Sequence, residues 1–497
     1  MRESLAQVRV RFAPSPTGGL HVGGVRTLIF NWLYARKFQG SLVLRMEDTD
    51  PDRSTAAWEK RILSEIKQIG IEVQEGPEER GPYAPYRQSE RSMIYTEYAK
   101  KLLVKNQAYY CFCDEETLQA KRKAALREGK PPLYDGTCAK LSPQEVQQKF
   151  AIGQKAGLRF RAFQKDYVLH DQVRGKVYFP ANTTGDFLII RSPQEESGLS
   201  SLSLGLPIYH FSCVVDDICM KMTHVIRSEE HLSNTLRQLM LYEALDAPIP
   251  EFAHAALVLY PNGQKLSKRQ GEVWISEYLA QGYLPEALIN FLLFLGWSPS
   301  PEFSPRSGHP EILSLEEMIA QFELSRLHRA GGIFDLQKLK WMNRYYLQSM
   351  PLKELTQRVR PFFEKAGYDL HGIDSSEILE KIVQAVYQGN DLLSEIANEA
   401  EFFFKRPQVN LTDFNDPQSK EILKAFSKIL KSHVGLVSEQ QVKQWLEELG
   451  SGFKEKKSII FKPIRMAVSG KVHGPEMKWI LSLIPLEELL HRIESVL

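Results

Sequence analysis

The residues best suited to chemistry fall in two short stretches far apart in the chain. Pro14-Ser15-Pro16-Thr17-Gly18-Gly19-Leu20-His21-Val22-Gly23-Gly24 joins turn-forming residues to an imidazole, and Lys265-Leu266-Ser267-Lys268-Arg269 gathers cations around a hydroxyl. A glycine-rich turn that empties into a helix stabilises phosphate, because unpaired backbone N–H groups and the helix dipole both point at it. Lysines beside it, on the loop begun by Pro261-Asn262-Gly263, can neutralise a triphosphate passing through a charged transition state. Taken alone, the first stretch is equally a tight turn and the second equally a solvated loop.

A third group is made of thiols. Cys111-Phe112-Cys113 and Tyr134-Asp135-Gly136-Thr137-Cys138 give a C-x-C pair followed by Y-x-x-x-C. Three thiolates and a fourth donor can hold tetrahedral zinc. Three buried thiols without a metal satisfy the same pattern. A zinc held here by four protein ligands has no open position, so its role is structural.

These residues need elements to position them. Val8, Val10 and Phe12 alternate with Arg9, Arg11 and Ala13, the period of a strand with one buried face. The pattern predicts a helix over 25–36, with Leu28, Trp32 and Ala35 on one side, then a strand at Ser41-Leu42-Val43-Leu44-Arg45 and a helix over 56–69. That is one half of a doubly wound nucleotide-binding sheet, with its ligand at the carboxyl ends of the strands. The second half resumes near Leu206, with Cys213-Val214-Val215-Asp216-Asp217 and Thr223-His224-Val225-Ile226-Arg227 expected as strand ends. Between the halves lie helices over 93–105 and 114–129 and short strands at Val177-Tyr178-Phe179 and Phe187-Leu188-Ile189-Ile190. The Ser-, Gly- and Leu-rich run 194–206 reads as an extra surface loop. From about residue 331 onward the apolar spacing is helical, as in Leu392, Ile396 and Ala400 or Leu486, Leu489 and Leu490.

Composition bounds the reading. A chain of 497 residues suggests about three domains. Its 43% hydrophobic and 25% charged residues are ordinary for a globular protein. With a net charge of only +2, any RNA-binding surface must be a local patch. The run 454–471, where Lys454, Lys456, Lys457, Lys462, Arg465 and Lys471 face a single Glu455, is one such patch or a solvated helix face. The N-terminus runs straight into a charged strand, so no signal peptide is expected. The apolar run 284–297 is too short to span a bilayer and carries Glu286, which predicts a buried helix and no membrane partner. Five cysteines, an odd number, argue for a reducing compartment and a cytoplasmic location.

The order of the two motifs, with Arg11 before the first and Arg45-Met46-Glu47-Asp48-Thr49-Asp50 after it, resembles the signature of class I aminoacyl-tRNA synthetases, and of bacterial-type glutamyl-tRNA synthetases in particular. Tyr209-His210-Phe211, Val214-Val215-Asp216-Asp217, the stretch from Thr223 to Arg227, Glu229-Glu230-His231, Phe461-Lys462-Pro463-Ile464-Arg465 and His473-Gly474-Pro475 are similar to that family as well. The resemblance implies an α/β, doubly wound (Rossmann) catalytic domain over 1–90 and 205–260, and an inserted domain over 91–204 that carries the tRNA acceptor end. It further implies a stem-contact region over 261–330 and an all-α anticodon-binding domain over 331–497.

The implied reaction joins L-glutamate to tRNA(Glu) in two steps through glutamyl-adenylate, using ATP with Mg2+, and needs no protein nucleophile. In this reading His21, Lys265 and Lys268 are catalytic, and Pro14, Ser15, Thr17, Gly23, Gly24, Glu230 and Ser267 complete the ATP site. Arg11 and Arg227 grip the side-chain carboxylate of glutamate. Tyr209 adds a hydroxyl, Glu47 pairs with the ammonium, and Ala13 and Ser15 line the same turn. A salt bridge of Arg11 across the sheet, for instance with Glu47, is the structural alternative. Tyr134, an unusual donor found in parts of the family, would be the fourth zinc ligand beside Cys111, Cys113 and Cys138, since Lys140 stands where some relatives carry histidine. Gly24 replaces the second histidine of many class I motifs, Cys213 falls at a position where the family varies, and Lys221 stands where a glycine is expected. Charging of tRNA(Gln) as well, or a non-catalytic tRNA-binding role, are the alternative functions. A monomer is the family's default.

Overall fold

The computed structural model describes residues 7–50, 52–193, 205–266, 274–370, 376–435, 437–453 and 456–497. Its contacts divide the chain into two compact units, Met1–Glu277 with Ile289–Asp335, and Tyr278–Leu288 with Leu336–Leu497.

In the first unit, β1 (Arg9–Phe12) passes through the glycine-rich turn into α1 (Val22–Lys37), followed by β2 (Ser41–Leu44) and α2 (Ala56–Gln68). β1 and β2 pair in parallel, with Arg9 opposite Ser41 and Phe12 opposite Leu44. α1 buries Val25, Leu28, Ile29, Trp32 and Leu33, while Arg36 and Lys37 complement the dipole at its end. It begins three residues before the expected 25, because His21 caps it. The return to β2 requires Gly40, where a Cβ would collide with the Val8 carbonyl. From α2, the buried Glu65 accepts a hydrogen bond from Leu20 N at 2.6 Å and from Arg61 Nε at 2.9 Å. Glu65 thereby fastens the far end of the glycine-rich turn to the sheet's second helix.

The chain continues through α3 (Ser92–Val104), β3 (Ala108–Cys111), α4 (Glu115–Arg127), α5 (Pro143–Ala151), β4 (Gly157–Phe160), β5 (Tyr167–Asp171), β6 (Gly175–Phe179) and β7 (Phe187–Ile190). β3, β4 and β7 form a separate antiparallel sheet in the order β3-β4-β7. The loop expected over 194–206 falls largely outside the described residues. Its exit returns beside β7, where Arg191 N donates to Leu206 O at 2.9 Å and Ile208 N to Ile189 O at 2.8 Å.

α6 (Tyr209–Cys219), β8 (His224–Ser228), α7 (Leu232–Ala244) and β9 (Glu251–Ala255) complete the layer begun by β1 and β2. β8 and β9 pair in parallel, and Thr223 N donates to Arg9 O at 3.0 Å, which sets β8 beside β1. The β5–β6 hairpin extends the same layer, because β5 meets β9 in parallel at Asp171 and Phe252. Cys213 to Asp217 is not the expected strand end: it lies within α6. The two valines favour a strand, yet Phe211, Val214, Val215 and Ile218 recur at i, i+3, i+4 and i+7, and that helical stripe prevails.

At Lys221 the backbone has a φ of 54°, the left-handed conformation that explains the glycine expected there. The short pairing of Val258–Leu259 with Gly332–Ile333 holds the end of this unit.

Among its described residues the second unit is built of helices joined by loops, with no strand. Helices Leu336–Ser349, Leu352–Lys365, Ser376–Val386, Leu393–Glu399, Pro417–Ser432, Glu439–Gly452, Lys457–Ser469, Met477–Leu483 and Leu486–Glu494 surround one apolar core that includes Leu355, Ile396, Phe426, Ile464 and Leu489. The buried Arg492 joins three of its segments by donating to Phe402 O at 2.8 Å and Val468 O at 2.7 Å. Among the described residues, no helix is long and apolar enough to cross a membrane; the run 284–297 contains the helix Pro285–Phe294.

Candidate active site

A cavity of about 860 Å³ opens at the carboxyl ends of β1 and β8, lined by the glycine-rich turn, the start of α1, the start of α6 and Lys265. It gathers Arg11, Ala13, Ser15, Thr17, His21 and Gly23 from the first half of the sheet. Gly24, Glu47, Tyr209, Arg227, Glu230 and Lys265 join them from the expected set. Pro14 acts from behind, its carbonyl accepting from Glu47 N at 3.0 Å. Lys265 forms an ion pair with Glu230, two residues expected around ATP. Ser267 and Lys268 lie outside the described residues.

His21 sets the geometry of the phosphate turn. Its Nδ1 accepts from Gly23 N at 3.1 Å, which caps α1. A neutral imidazole that accepts at Nδ1 carries its proton on Nε2. His21 therefore combines a capping acceptor with a donor suited to a phosphate oxygen. Its ring also meets Trp274 edge-on, with centroids 6.5 Å apart.

Beneath the cavity lies a buried network of ions. Arg11 Nε is 3.3 Å and Nη2 3.5 Å from Asp217, while Arg45 Nη1 is 2.6 Å from the same carboxylate. Arg45 also reaches Glu47 at 3.1 Å. Asp216 accepts from Arg91 at 2.7 Å, Gln88 at 2.7 Å and Tyr95. Arg11, Arg45 and Arg91 thus balance Glu47, Asp216 and Asp217, a condition for burying so many charges. Burial opposes the charges on Arg11 and Asp217, but their mutual attraction, reinforced for Asp217 by Arg45, raises the arginine's pKa and lowers the carboxyl's. For Glu47, burial prevails over Arg45 and Arg11, and the carboxyl lies above its ordinary range. Arg11 does form a buried ion pair, as the structural alternative expected, but with Asp217 and not with Glu47, which Arg45 takes.

Arg227 approaches from the other side. Nε donates to His254 Nε2 at 3.1 Å, and Nη2 to Thr235 Oγ1 at 2.9 Å and Gln238 Oε1 at 2.7 Å. Nη1 reaches Tyr209 Oη at 3.4 Å, and Tyr209 Oη is 2.9 Å from His231 Nδ1. Since guanidinium only donates, Tyr209 accepts from Arg227 and turns its own proton to His231. Burial, and then Arg227, pushes His231 down to about 3, so it is neutral and able to accept. Arg11 and Arg227 each spend Nε and Nη2 on fixed protein partners. Arg227 Nη1 gives one N–H to Tyr209 and keeps the second for an incoming carboxylate, as Arg11 Nη1 can.

The thiol cluster lies elsewhere in the same unit. The Sγ atoms of Cys111, Cys113 and Cys138 are all within 4.8 Å of one another, and Cys113 and Cys138 are 3.6 Å apart. Tyr134 Oη lies 3.4 Å from Cys113 Sγ and 3.7 Å from Cys111 Sγ. Zinc–sulfur bonds of about 2.3 Å at tetrahedral angles place sulfurs about 3.8 Å apart, so this donor set fits zinc. The Arg159 guanidinium lies 3.9 Å from the Tyr134 ring centroid. Burial and then the hydrogen bond to Cys113 raise the Tyr134 hydroxyl above its ordinary pKa, so a metal binding there would have to displace its proton.

Arg45 and Asp217 stood inside the quoted motifs without an assigned role, and Asp171 and His254 lay outside them. Asp217 stood in a visible Asp-Asp pair, and His254 interrupts the apolar alternation of β9, a signal for a buried polar role. Asp171 carries no local signal, because its partner lies 83 residues away.

Parallel strands with a glycine-rich turn after the first, a lysine on the rim of the same cavity and two arginines within it define a doubly wound protein of the nucleotide-binding type. Residues 7–341 match the family described as tRNA synthetases class I (E and Q), catalytic domain, and residues 354–497 match the anticodon binding domain. The chain belongs to the class I tRNA synthetase family of glutamate and glutamine. It is 40% identical over 499 residues to glutamate–tRNA ligase 1 of Caldicellulosiruptor saccharolyticus, covering 98% of both chains. It is 41% identical over 500 residues to the glutamate–tRNA ligase of Carboxydothermus hydrogenoformans, covering 98% of this chain and 99% of that one. A crystal structure of a glutamate tRNA ligase from Elizabethkingia meningosepticum in complex with its amino acid superposes with a TM-score of 0.84 at 32% identity, covering 99% of each chain.

Proposed function

We infer that this protein is a glutamate–tRNA ligase, using ATP with Mg2+ to join L-glutamate to tRNA(Glu). The observation that carries the amino-acid assignment is the pair of arginines lining the cavity, Arg11 and Arg227, each anchored by Nε and Nη2. One N–H of Arg227 Nη1 is directed at Tyr209 Oη, and the other is available to a substrate. Two such guanidinium groups suit a carboxylate better than a neutral amide.

In the first step an oxygen of the α-carboxylate attacks the α-phosphorus of ATP. The bond to the β-phosphate oxygen breaks, pyrophosphate leaves, and glutamyl-adenylate remains. His21 Nε2 and the N–H groups around Gly23 and Gly24 hold phosphate oxygens, with Ser15 and Thr17 lining the turn. Lys265 and Lys268 neutralise charge on the leaving pyrophosphate, and Ser267 is part of the ATP site. Mg2+ arrives with the triphosphate and supplies further neutralisation. Glu47 takes the ammonium, while Ala13 and Tyr209 bound the amino acid. In the second step a hydroxyl of the terminal ribose of tRNA attacks the carbonyl carbon and AMP leaves with the phosphate oxygen.

Residues 91–204 would hold the acceptor end, 261–330 the stem and 331–497 the anticodon. Lys456, Lys457 and Lys462 are exposed and suited to RNA, whereas Lys471 is paired with Glu399 at 2.7 Å. Cys111, Cys113, Cys138 and Tyr134 would hold a zinc ion that braces the inserted region. A cytoplasmic monomer is the form expected.

The test is aminoacylation of glutamate tRNA and glutamine tRNA transcripts with labelled glutamate and ATP. Charging of the first alone makes the enzyme discriminating. Charging of both makes it the first step of an indirect route to glutaminyl-tRNA. Binding of tRNA without any charging would overturn the reading in favour of a non-catalytic tRNA-binding protein.

A further inference from the structure

Arg227 is held by a buried chain of groups that runs back to the hairpin at the sheet's edge. His254 Nδ1 lies 2.6 Å from Asp171 Oδ2, at the end of β5. The other oxygen, Asp171 Oδ1, accepts from Val173 N at 2.9 Å and Arg174 N at 2.8 Å, in the turn between β5 and β6. His254 is 0% exposed, Asp171 4% and Arg227 5%, so water cannot substitute for a missing partner.

The protons in this chain are dictated by its ends. Arg227 Nε can only donate, so His254 Nε2 must accept and Nδ1 must carry the ring proton. A proton on Nδ1 needs an acceptor, and Asp171 is that acceptor. The carboxylate cannot turn away, because two backbone N–H groups hold its second oxygen. The opposite tautomer would set N–H against N–H between His254 and Arg227, and the guanidinium would have to leave its position.

We propose that Asp171 and His254 are positioning residues for glutamate recognition: Asp171 selects the His254 tautomer that orients Arg227 Nη1 toward the substrate carboxylate. The proposal rests on the reading of Arg227 as a carboxylate-binding residue. It gives the β5–β6 hairpin, which lies between the two halves of the nucleotide-binding sheet in sequence, a direct part in amino-acid selection.

Asp171→Asn is isosteric and separates positioning from mere packing. The asparagine oxygen is retained by the two backbone donors, its NH2 then faces Nδ1, and the ring proton moves to Nε2 against Arg227. In aminoacylation of glutamate tRNA, KM for glutamate is expected to rise about tenfold or more, with KM for ATP within about twofold of the parent. A second pair of variants covers the case in which D171N folds poorly. In His254→Gln the side-chain oxygen can still accept from Arg227 Nε. In His254→Asn the amide reaches Asp171 but not Arg227. Glutamate KM near the parent value in H254Q and raised in H254N supports the proposal. Equal glutamate KM in those two variants overturns it, as does an unchanged glutamate KM in folded D171N, or glutamate and ATP KM rising together. A parent protein that binds tRNA and does not charge it overturns the functional reading and the proposal together. An active parent with an unresponsive D171N overturns the proposal alone.

Discussion

Arg45 Nη1 lies 2.6 Å from Asp217 Oδ1, joining residues 172 positions apart at the floor of the cavity. The contact ties α6 to the segment after β2, and through the same carboxylate it fixes Arg11. The proposed glutamate site therefore rests on a neutralised platform of charges, not on isolated arginines.

Replacing Asp217 with Asn removes the charge that both arginines share. Breaking a buried pair while its partner stays buried costs about 3–5 kcal/mol, so D217N should lower the unfolding free energy by about that amount. Urea unfolding reads this directly. A loss below about 1 kcal/mol would mean that the two guanidiniums find another anion, contrary to the network described.

The cap that His21 forms and the phosphate contact proposed for it can be separated by one substitution. Asparagine is a strong helix N-cap and can accept from Gly23 N, but it lacks a donor at the position of Nε2. H21N should therefore keep the parent melting temperature and lose about 10²-fold in adenylate formation, as for removal of one donor from a charged transition state. Full activity in H21N would reduce His21 to a cap.

Buried histidines give the fold a defined pH dependence. His254 and His210 both titrate below the ordinary imidazole range, chiefly through burial, with His210 pushed down to about 4. As pH falls below about 6.5, the unfolded chain takes up protons that the folded chain refuses, so stability falls with falling pH. One such proton is worth about 1.4 kcal/mol per pH unit. Between pH 6.5 and 5 the parent should lose stability more steeply than H254Q by up to that slope. Parallel curves for parent and variant in denaturant titrations would contradict a neutral His254.

The thiol cluster should carry one zinc per chain, measured by elemental analysis of the purified protein. Cys113→Ser should abolish it, and a strong chelator should lower the melting temperature of the parent but not of C113S. Metal-free parent protein with an unchanged melt would leave Cys111, Cys113 and Cys138 as packed thiols.

Much of this molecule is legible along the chain. Strand β1, the glycine-rich turn and α1 follow from apolar period and turn residues, and His21, Arg11 and Arg227 follow from motif order. The C-x-C and Y-x-x-x-C spacings likewise announce donors that converge in space. Local patterns carry such information because backbone geometry and nearest-neighbour burial act over a few residues. Where they mislead, as with the valines of α6, a β-preferring pair is overruled by a helical stripe that only the surrounding core rewards.

Partnership was decided in three dimensions. Arg11 might have met Glu47 by any argument from sequence, yet Asp217 takes it, because α6 brings a buried carboxylate to both Arg11 and Arg45. Asp171 gained its role only when β5 was laid against β9, beside His254. An ion or a tautomer answers to whatever charge lies within a few ångströms, and for these residues those neighbours come from elements 83 to 206 positions away.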